Sequence, residues 1–341
     1  MNTLPVTTDD RLIWDAWLAV YRLPVLTVAD EVGTFAALSA QSLPTEELAA
    51  RLHVGARALA IHLGLLAALG FVERHDGRWR ATAAARTWLH PDADGYQGPL
   101  LYGFRQSQPL HAQLLATLRP QQVRAETHAS AVAEWERGEM SPEFARMITA
   151  YMNAHSRAAA MAVGAQPFFG DVHSLLDVGG GSAIFAIEIA KRQPALRATV
   201  MEIAAVCAEA DRYIVASGQA ARVRTEALNM FTQAWPTGHD AHFLSNILHD
   251  WSDETCRLLV QRSFDALPSG GRIVLHEMLM NDDGCGPLPA AAFSVLMLLG
   301  TRGRQYTLAE LRGFLEPAGF TAVEAFTTGG GYYSLVVGRK P

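Results

Sequence analysis

A glycine-rich turn between an apolar run and a helical pattern restricts the folds open to this chain. The segment LLDVGGGSA, residues 175–183, passes from apolar residues through Asp177 into three consecutive glycines. Gly179 and Gly181 lack a Cβ atom, so the backbone there can turn tightly and approach a ligand closely. Apolar residues at helical spacing from Ile184 onward predict a helix whose N-terminus faces that ligand. The segment indicates a nucleotide-type cofactor loop, which we expect Asp177 to organise.

A second acid follows at the place where α/β nucleotide folds bind a ribose. The short strand pattern from Val200 to Ile203 contains Glu202 near its end. A carboxylate in this place accepts hydrogen bonds from ribose hydroxyls. A dinucleotide dehydrogenase fits these two features equally well, so they leave the class of cofactor open.

Strand and helix patterns alternate from residue 166 to the end of the sequence. This alternation predicts an α/β fold, in which a mainly parallel sheet is covered by helices on both faces. The predicted strands lie near residues 173–178, 198–202, 222–226, 240–246, 271–277, 320–326 and 332–338.

Three later segments distinguish between the cofactor classes. They are residues 227–231, residues 244–254 with the sequence LSNILHDWSDE, and residues 270–277. In this order and at this spacing, they resemble the class I S-adenosylmethionine-dependent methyltransferases. More narrowly, they resemble the small-molecule O-methyltransferases that modify plant phenolics and bacterial antibiotics. The resemblance extends over nearly the whole chain, and LSNILHDWSDE is its most specific element.

The resemblance implies three regions. Residues 1–95 would form a mostly helical winged-helix dimerisation domain, and residues 96–165 a helical linker and substrate-pocket region. Residues 166–341 would form a Rossmann-like methyltransferase domain with a seven-stranded sheet whose last strand runs antiparallel. The resemblance also implies S-adenosylmethionine (SAM) as the cofactor, a homodimer, and a hydroxylated aromatic or polyketide-like small molecule of secondary metabolism as the substrate.

The pattern of residues 45–90 itself predicts a winged helix-turn-helix. Thr45 begins one helix, a second helix ends before Gly70, and two short strands meet at Asp76 and Gly77. A DNA-binding regulator is the alternative use of this motif, but a helix that reads a groove needs several basic or amide side chains, and the second helix has few. The preceding helices carry more apolar residues than so small a unit can bury. We therefore expect this region to form a homodimer interface.

Composition limits the other partners. The formal net charge of −6 argues against a nucleic acid partner. The longest apolar run, residues 290–299, is too short to cross a bilayer, so a cytoplasmic protein without a membrane partner is expected. The three cysteines form no close pair, and His239 and His242 are spaced so that they do not share one face of a strand. No metal site is therefore expected.

The resemblance also assigns the cofactor site. The expected cofactor-binding residues are Ser156, Asp177, Gly179, Gly181, Glu202, Asn229, Met230, Phe231, Ser245 and Trp251. Two positions depart from the family pattern. Ala183 replaces the last glycine of the loop, which the start of a helix tolerates with little loss of ligand approach. Asn229 replaces the usual aspartate that accepts a hydrogen bond from the adenine amino group, and its side-chain carbonyl can still accept that bond.

Methyl transfer to oxygen needs aligned reactants and a group that takes the hydroxyl proton. His249 follows a predicted strand at the carboxyl edge of the sheet, and a neutral imidazole suits this task. Glu277 ends the next strand and is expected to bond the other imidazole nitrogen, whereas the adjacent His276 points to the opposite face and is structural. The residues expected to bind the substrate are Ile148, Met152 and Asp250.

One further position concerns the reaction itself. Gln305 lies where the family has a second acid beside the catalytic histidine. An amide can hydrogen-bond the ring, but it supplies no charge to stabilise an imidazolium. This keeps an alternative open, in which a methyltransferase-fold enzyme uses bound SAM for decarboxylation, hydroxylation or rearrangement. The accumulation of S-adenosylhomocysteine with substrate distinguishes the two reactions.

Overall fold

The computed structural model describes residues 10–105, 109–119, 129–328 and 331–341. They form two compact units. The sheet unit comprises Ser130–Leu279 and Leu308–Pro341 with the described residues of Met1–Arg11, and the helical unit comprises the described residues of Leu12–Ala129 with Met280–Thr307. The domain boundaries expected at residues 95 and 165 stay predictions. Parts of the first two expected regions, residues 1–9, 106–108 and 120–128, lie outside the described residues.

The helices and strands are numbered separately along the chain. The helices are α1 Arg11–Leu18, α2 Arg22–Glu31, α3 Thr34–Ala40, α4 Thr45–Leu52, α5 Ala56–Ala68, α6 Ala83–Trp88, α7 Gly98–Arg105, α8 Pro109–Leu118, α9 Ala129–Arg137, α10 Pro142–Gly164, α11 Ile184–Arg192, α12 Ala204–Ala216, α13 Asp253–Ala266, α14 Leu288–Gly300 and α15 Leu308–Leu315. The strands are β1 Val72–His75, β2 Arg78–Ala81, β3 Ser174–Val178, β4 Arg197–Glu202, β5 Val223–Ala227, β6 Ala241–Ser245, β7 Arg272–Glu277, β8 Thr321–Thr327 and β9 Ser334–Arg339.

The sheet unit contains a seven-stranded sheet with the strand order β5-β4-β3-β6-β7-β9-β8. Neighbouring strands are parallel, except that β9 runs antiparallel to both β7 and β8. Leu175, Leu176 and Val178 of the central strand β3 are fully buried, as expected where both faces of a parallel strand are covered. The predicted fold class is confirmed, and the predicted strand ends differ from the observed ones by at most two residues.

The strand order determines where a ligand can bind. After β3, the chain adds β4 and β5 on one side and then adds β6 and β7 on the other. The crevice of an open α/β sheet lies at such a reversal, outside the carboxyl ends of the strands. The glycine loop follows β3, Glu202 ends β4, and the segment that carries His249 follows β6. The residues expected to bind the cofactor and the histidine expected to take the proton therefore lie at the same carboxyl edge of the sheet.

Helix α10 packs against α11 and α12 in the sheet unit. Ser141 caps its N-terminus by accepting a hydrogen bond from the backbone N–H of Phe144, and Pro142 occupies the first turn. Gly164 allows a close approach near its C-terminal end, because a Cβ atom there would lie 2.6 Å from the carbonyl oxygen of Glu188. This packing holds one face of α10 against the glycine-loop helix α11.

The helical unit contains the predicted order of two helices and a hairpin, namely α4, α5, β1 and β2. The hairpin turns at Asp76 and Gly77, whose φ angles of 50° and 75° suit a tight two-residue turn. In α5, His62 is fully buried and Arg57 donates hydrogen bonds to the carbonyls of Arg302 and Gly303. Arg57 and His62 are the polar side chains of α5, and both are thus engaged or buried within the unit.

One stretch of the described residues, Arg11–Glu31, is long and apolar enough for a membrane-spanning helix by length and composition. About half of its most apolar window, 44%, is buried within the structure. A core helix of a globular protein meets the same criteria, so this is weak evidence for a membrane span. The apolar run noted in the sequence falls in α14, which is largely buried.

Candidate active site

The glycine loop has the backbone conformation that its sequence predicts. Gly179 and Gly181 have φ angles of 63° and 54°, in the left-handed region that favours glycine. A Cβ atom on Gly179 would lie 2.5 Å from the Cδ1 atom of Ile247. Asp177 is fully buried beneath the loop, since a Cβ atom on Gly180 would lie 2.7 Å from its carboxyl group. This is the position expected for a residue that organises the loop, and burial raises the pKa of Asp177 to about 7.

Ala183 ends the loop in the left-handed conformation, with a φ of 65°. An L-residue other than glycine pays about 1 kcal/mol or more for this conformation. The sequence pattern predicted that the alanine leaves ligand approach nearly unchanged. The structure adds that the alanine strains the turn from which α11 begins.

Glu202 lies beside the same loop. Its Oε2 atom accepts a hydrogen bond of 2.8 Å from the backbone N–H of Ile203, and its carboxylate also receives the N–H of Gly181. The side chain is buried, and the loss of solvation raises its pKa to about 7. A carboxylate at the end of β4 and against the loop is placed to accept hydrogen bonds from a ribose.

An aromatic surface borders the other side of the expected nucleotide site. The rings of Phe231 and Trp251 meet edge to face with centroids 4.6 Å apart, and Trp251 is buried. Met230 is held in place because its carbonyl accepts a hydrogen bond of 2.9 Å from the indole of Trp235. This surface is apolar, and its three residues are among those expected to bind the cofactor.

Asn229 has local partners that the sequence did not reveal. Its Oδ1 atom accepts hydrogen bonds from the backbone N–H groups of Phe231 and Thr232, at 2.9 and 3.2 Å. Its Nδ2 atom donates to the carbonyl of Glu136 at 2.8 Å. The side chain therefore organises the turn after β5 and ties it to α9. Both lone pairs of the amide oxygen are thus used within the turn. The bond to adenine that the sequence suggested stays a prediction.

Helix α10 presents Ile148, Met152 and Ser156 at four-residue spacing, which puts them on one face. The Sδ atom of Met152 lies 3.9 Å from the position that a Cβ atom on Gly181 would take. A fourth residue, Asn153, was missed in the sequence, although its Oδ1 atom accepts a hydrogen bond of 3.0 Å from the hydroxyl of Ser182. The segment YMNAHS, residues 151–156, also contains Met152 and Ser156, and this proximity could have identified Asn153. The face expected to contact substrate and cofactor thus lies against the glycine loop.

His249 lies in a short 3-10 turn, Leu248–Asp250, and is buried. Its Nδ1 atom is 3.0 Å from Oε2 of Glu277, while Oε1 of the same carboxylate accepts the backbone N–H of Leu248 at 3.1 Å. Cys256 of α13 contributes from the other side, since its thiol donates to the carbonyl of Leu248 at 3.2 Å. The predicted contact between His249 and Glu277 is present, and the turn is held by both its amide and its carbonyl groups.

Asp250 lies on the far side of the imidazole from Glu277. Its Oδ1 atom is 3.7 Å from Nε2 of His249. Burial raises the pKa of Asp250 to about 6, His249 lowers it and the Glu277 carboxylate raises it further. His249 therefore has a carboxylate near each of its ring nitrogens.

His276 points away from this centre, as predicted. Its ring stacks on Tyr333 with centroids 4.5 Å apart, and burial lowers its pKa to about 3. Its Nδ1 atom lies 2.8 Å from the hydroxyl of Ser245. The hydroxyl of Ser245, which was assigned to the cofactor, is thus engaged by a structural histidine, and its cofactor role stays a prediction.

Gln305 belongs to the helical unit. Its side chain is buried, and its backbone N–H donates a hydrogen bond of 3.0 Å to the hydroxyl of Ser294. Its expected place as the counterpart of the family's second acid stays a prediction. Within the described residues, no group of three or more histidine, cysteine or acidic side chains is arranged to hold a metal ion.

The sequence profile of the O-methyltransferase domain matches residues 111–321 of the chain. The chain belongs to this O-methyltransferase family. It is 35% identical over 327 residues to 3-hydroxy-5-methyl-1-naphthoate 3-O-methyltransferase of Streptomyces sahachiroi, covering 94% of this chain and 92% of the relative. It is 27% identical over 331 residues to the tetracenomycin polyketide synthesis 8-O-methyl transferase TcmO of Streptomyces glaucescens, covering 95% of each chain.

Solved structures agree on the fold of this O-methyltransferase. An O-methyltransferase family 2 protein from Planctomyces limnophilus, crystallised in complex with apigenin, superposes with a TM-score of 0.86. The two chains are 24% identical, and the match covers 99% of this chain and 98% of the other. The sheet and its mostly helical N-terminal region are therefore those of this family.

The O-methyltransferase uses SAM as its methyl donor. The residues present fit this cofactor. The loop at Gly179 has no room for a Cβ atom and brings bare backbone to the edge of the sheet. The buried carboxylate of Glu202 has the chemistry to accept hydrogen bonds from ribose hydroxyls, and the paired rings of Phe231 and Trp251 have the apolar character that an adenine needs. The assignment of these residues to the cofactor stays a prediction.

Proposed function

We propose that this O-methyltransferase methylates a phenolic hydroxyl of an aromatic or polyketide-like small molecule in secondary metabolism, with His249 as general base and Glu277 as its orienting partner. The relative from Streptomyces sahachiroi is named for a hydroxynaphthoate, and TcmO for tetracenomycin polyketide synthesis. Both names point to fused or condensed aromatic acceptors. The proposal also includes a homodimer, whose interface we expect residues 1–95 to form.

The contact between His249 and Glu277 carries the proposal. A carboxylate 3.0 Å from Nδ1 favours the tautomer with the proton on Nδ1, so that Nε2 keeps its lone pair. When bound, SAM supplies the methyl group from its sulfonium. Nε2 of His249 takes the proton of the acceptor hydroxyl as the methyl group is transferred, and Glu277 then stabilises the resulting imidazolium. A positioned base of this kind contributes about 10²–10⁴-fold to the rate.

The reaction is tested with His249→Ala and a panel of phenols. We expect purified wild-type protein to convert hydroxynaphthoates to methyl ethers with one equivalent of S-adenosylhomocysteine, measured by mass spectrometry. His249→Ala should lose about 10²–10⁴-fold in turnover with nearly unchanged SAM affinity by calorimetry. Full activity in this variant would overturn the role of His249. A product that lacks the added methyl group would instead favour the non-methylating alternative.

The expected homodimer is supported by apolar side chains at the start of the helical unit. Leu12 and Ile13 are adjacent on α1 and are 82% and 72% exposed, so together they form an apolar surface of the kind that a protein interface covers. Light scattering should report twice the mass of the chain. Replacing both residues with Ser should shift the mass towards that of one chain, whereas the same change at Val215, exposed on α12 of the sheet unit, should not. A wild-type monomer would contradict this part of the proposal.

A further inference from the structure

The imidazole of His249 lies between two carboxylates of the sheet unit. Glu277 approaches Nδ1 to 3.0 Å, and Asp250 approaches Nε2 to 3.7 Å. Both contacts are ion pairs, and the one with Glu277 is the closer of the two. A carboxylate therefore lies close to each ring nitrogen of His249.

We propose that Asp250 is a second positioning residue of the reaction, whose carboxylate stabilises the imidazolium that forms when His249 takes the proton. The inference rests on the proposed role of His249 as the base. It differs from a substrate-binding role, because Asp250 would act through the charge of the ring and not through the acceptor. The two carboxylates would then stabilise the protonated ring from opposite sides.

Two histidines of the sheet unit also interact electrostatically with His249. They are His155 of α10 and His276 of β7. Burial lowers the pKa of His155 to about 4 and that of His276 to about 3, so both rings are neutral at physiological pH. Neither of these rings therefore places a positive charge beside a cation formed on His249.

The geometry of the turn keeps Asp250 in place. The amide of Leu248 is fixed by Glu277 and its carbonyl by the thiol of Cys256, so the 3-10 turn that carries both His249 and Asp250 is tied at two points. The side chain of Asp250 is largely buried, and a buried charge interacts more strongly with a nearby ion than an exposed one does. The effect on His249 should therefore be measurable.

The test is the pH dependence of turnover in Asp250→Asn, which keeps the shape of the side chain and removes its charge. We expect kcat to fall about tenfold or more, because the base becomes weaker. The acid limb of the kcat profile should move to lower pH by about one pH unit, since an anion no longer raises the pKa of His249. KM for the acceptor should change little. Calorimetry with SAM and a thermal melt verify that the variant is folded.

Glu254→Gln is the matched control. It removes the same charge four positions along the chain, from an exposed side chain in the first turn of α13. If Asp250→Asn behaves like this control, or raises KM for the acceptor without moving the pH profile, the inference is overturned and Asp250 serves the substrate alone. His249→Ala is measured in parallel. If His249→Ala retains activity, His249 is not the base and the proposed function itself is overturned. If His249→Ala loses activity but Asp250→Asn leaves kcat and the pH profile unchanged, only this inference is overturned.

Discussion

The Nδ1 atom of His249 lies 3.0 Å from Oε2 of Glu277, and both side chains are buried. The other oxygen of Glu277 accepts the backbone N–H of Leu248, so one carboxylate orients the ring and fixes the turn that carries it. Two tasks therefore depend on one side chain. A substitution at Glu277 can separate them, because an amide can keep hydrogen bonds without keeping the charge.

We expect Glu277→Gln to reduce kcat less than His249→Ala does, yet by about tenfold or more, because the amide can hold the ring but does not stabilise its cation. The acid limb of the pH profile should move to lower pH, since the anion that raises the pKa of His249 is gone. Steady-state kinetics between about pH 5 and pH 9 provide the measurement. An unchanged profile would show that Glu277 acts only on the backbone of the turn.

Glu202→Ala should weaken SAM binding strongly. Hydrogen bonds from ribose hydroxyls to a carboxylate are charge-assisted, and each contributes about 1.5–3 kcal/mol. Two such bonds correspond to a loss of more than a hundredfold in affinity, using about 1.4 kcal/mol for each factor of ten. Calorimetric titration with S-adenosylhomocysteine measures it. Glu226→Ala, at a half-buried acid on the neighbouring strand β5, is the control. Equal affinity in the two variants would remove Glu202 from the cofactor site.

Cofactor binding should also release a proton near neutral pH. The pKa of Glu202 is raised to about 7 by burial, so a large fraction of the carboxyl group is protonated at that pH. Ribose hydroxyls bond the anion, and binding therefore displaces the proton. Affinity should rise between about pH 6 and pH 8, and the binding heat should depend on the ionisation heat of the buffer. Glu202→Gln should abolish the buffer dependence. Persistence in that variant would assign the proton to another group.

The raised pKa of Glu202 also determines how the stability of the protein changes with pH. The pKa of Glu202 in the folded state exceeds its value in the unfolded chain, so the folded state binds the proton more tightly. Its contribution to the free energy of unfolding of the cofactor-free protein is present below the unfolded pKa. It is lost as the pH rises from about 4.5 to about 7. Asp177 shifts in the same direction for the same reason.

Ala183→Gly should stabilise the protein. The alanine has a φ of 65°, which costs about 1–2 kcal/mol relative to a right-handed conformation, whereas glycine adopts this angle freely. Glycine loses more backbone entropy on folding, by about 0.5–1 kcal/mol, so the net gain should be about 0.5–1 kcal/mol. Chemical denaturation measures it. Ala208→Gly, on an exposed site within α12, should lose stability by about 1 kcal/mol. A loss of stability in Ala183→Gly would show that the strain is not relieved.

The sequence predicted the sheet and the outline of the site because both depend on local patterns. Apolar runs that end in Asp177, Glu202 and Glu277 identify the ends of strands, and parallel strands bring those ends to one edge. The motif LSNILHDWSDE further indicated His249, and the end of the next strand indicated Glu277 as its partner. These features need no knowledge of how distant segments pack.

The remaining features depend on packing between segments that no local pattern connects. Asn229 follows the expected motif, yet its amide is engaged by the backbone of its own turn and by Glu136 of α9. The place of Asp250 beside Nε2 depends on a single 3-10 turn, in which a small rotation would move the carboxylate away from the ring. Such relations follow from tertiary contacts, and a periodic pattern carries no information about them.

The last prediction concerns Gln305, which the resemblance aligns with a second acid of the family. We expect Gln305→Glu to move the acid limb of the kcat profile to higher pH, because an added anion near the base raises the pKa of an imidazole. Above that limb, kcat should equal or exceed that of the wild type, since the imidazolium gains stabilisation. Gln219→Glu adds the same charge beside Arg222, away from the motif segments, and should leave the profile unchanged. A slower Gln305→Glu with an unshifted profile would show that the amide serves the substrate or the fold of the helical unit, where Gln305 is buried. In that case, Glu277 would be the only acid of the family pair that this enzyme uses.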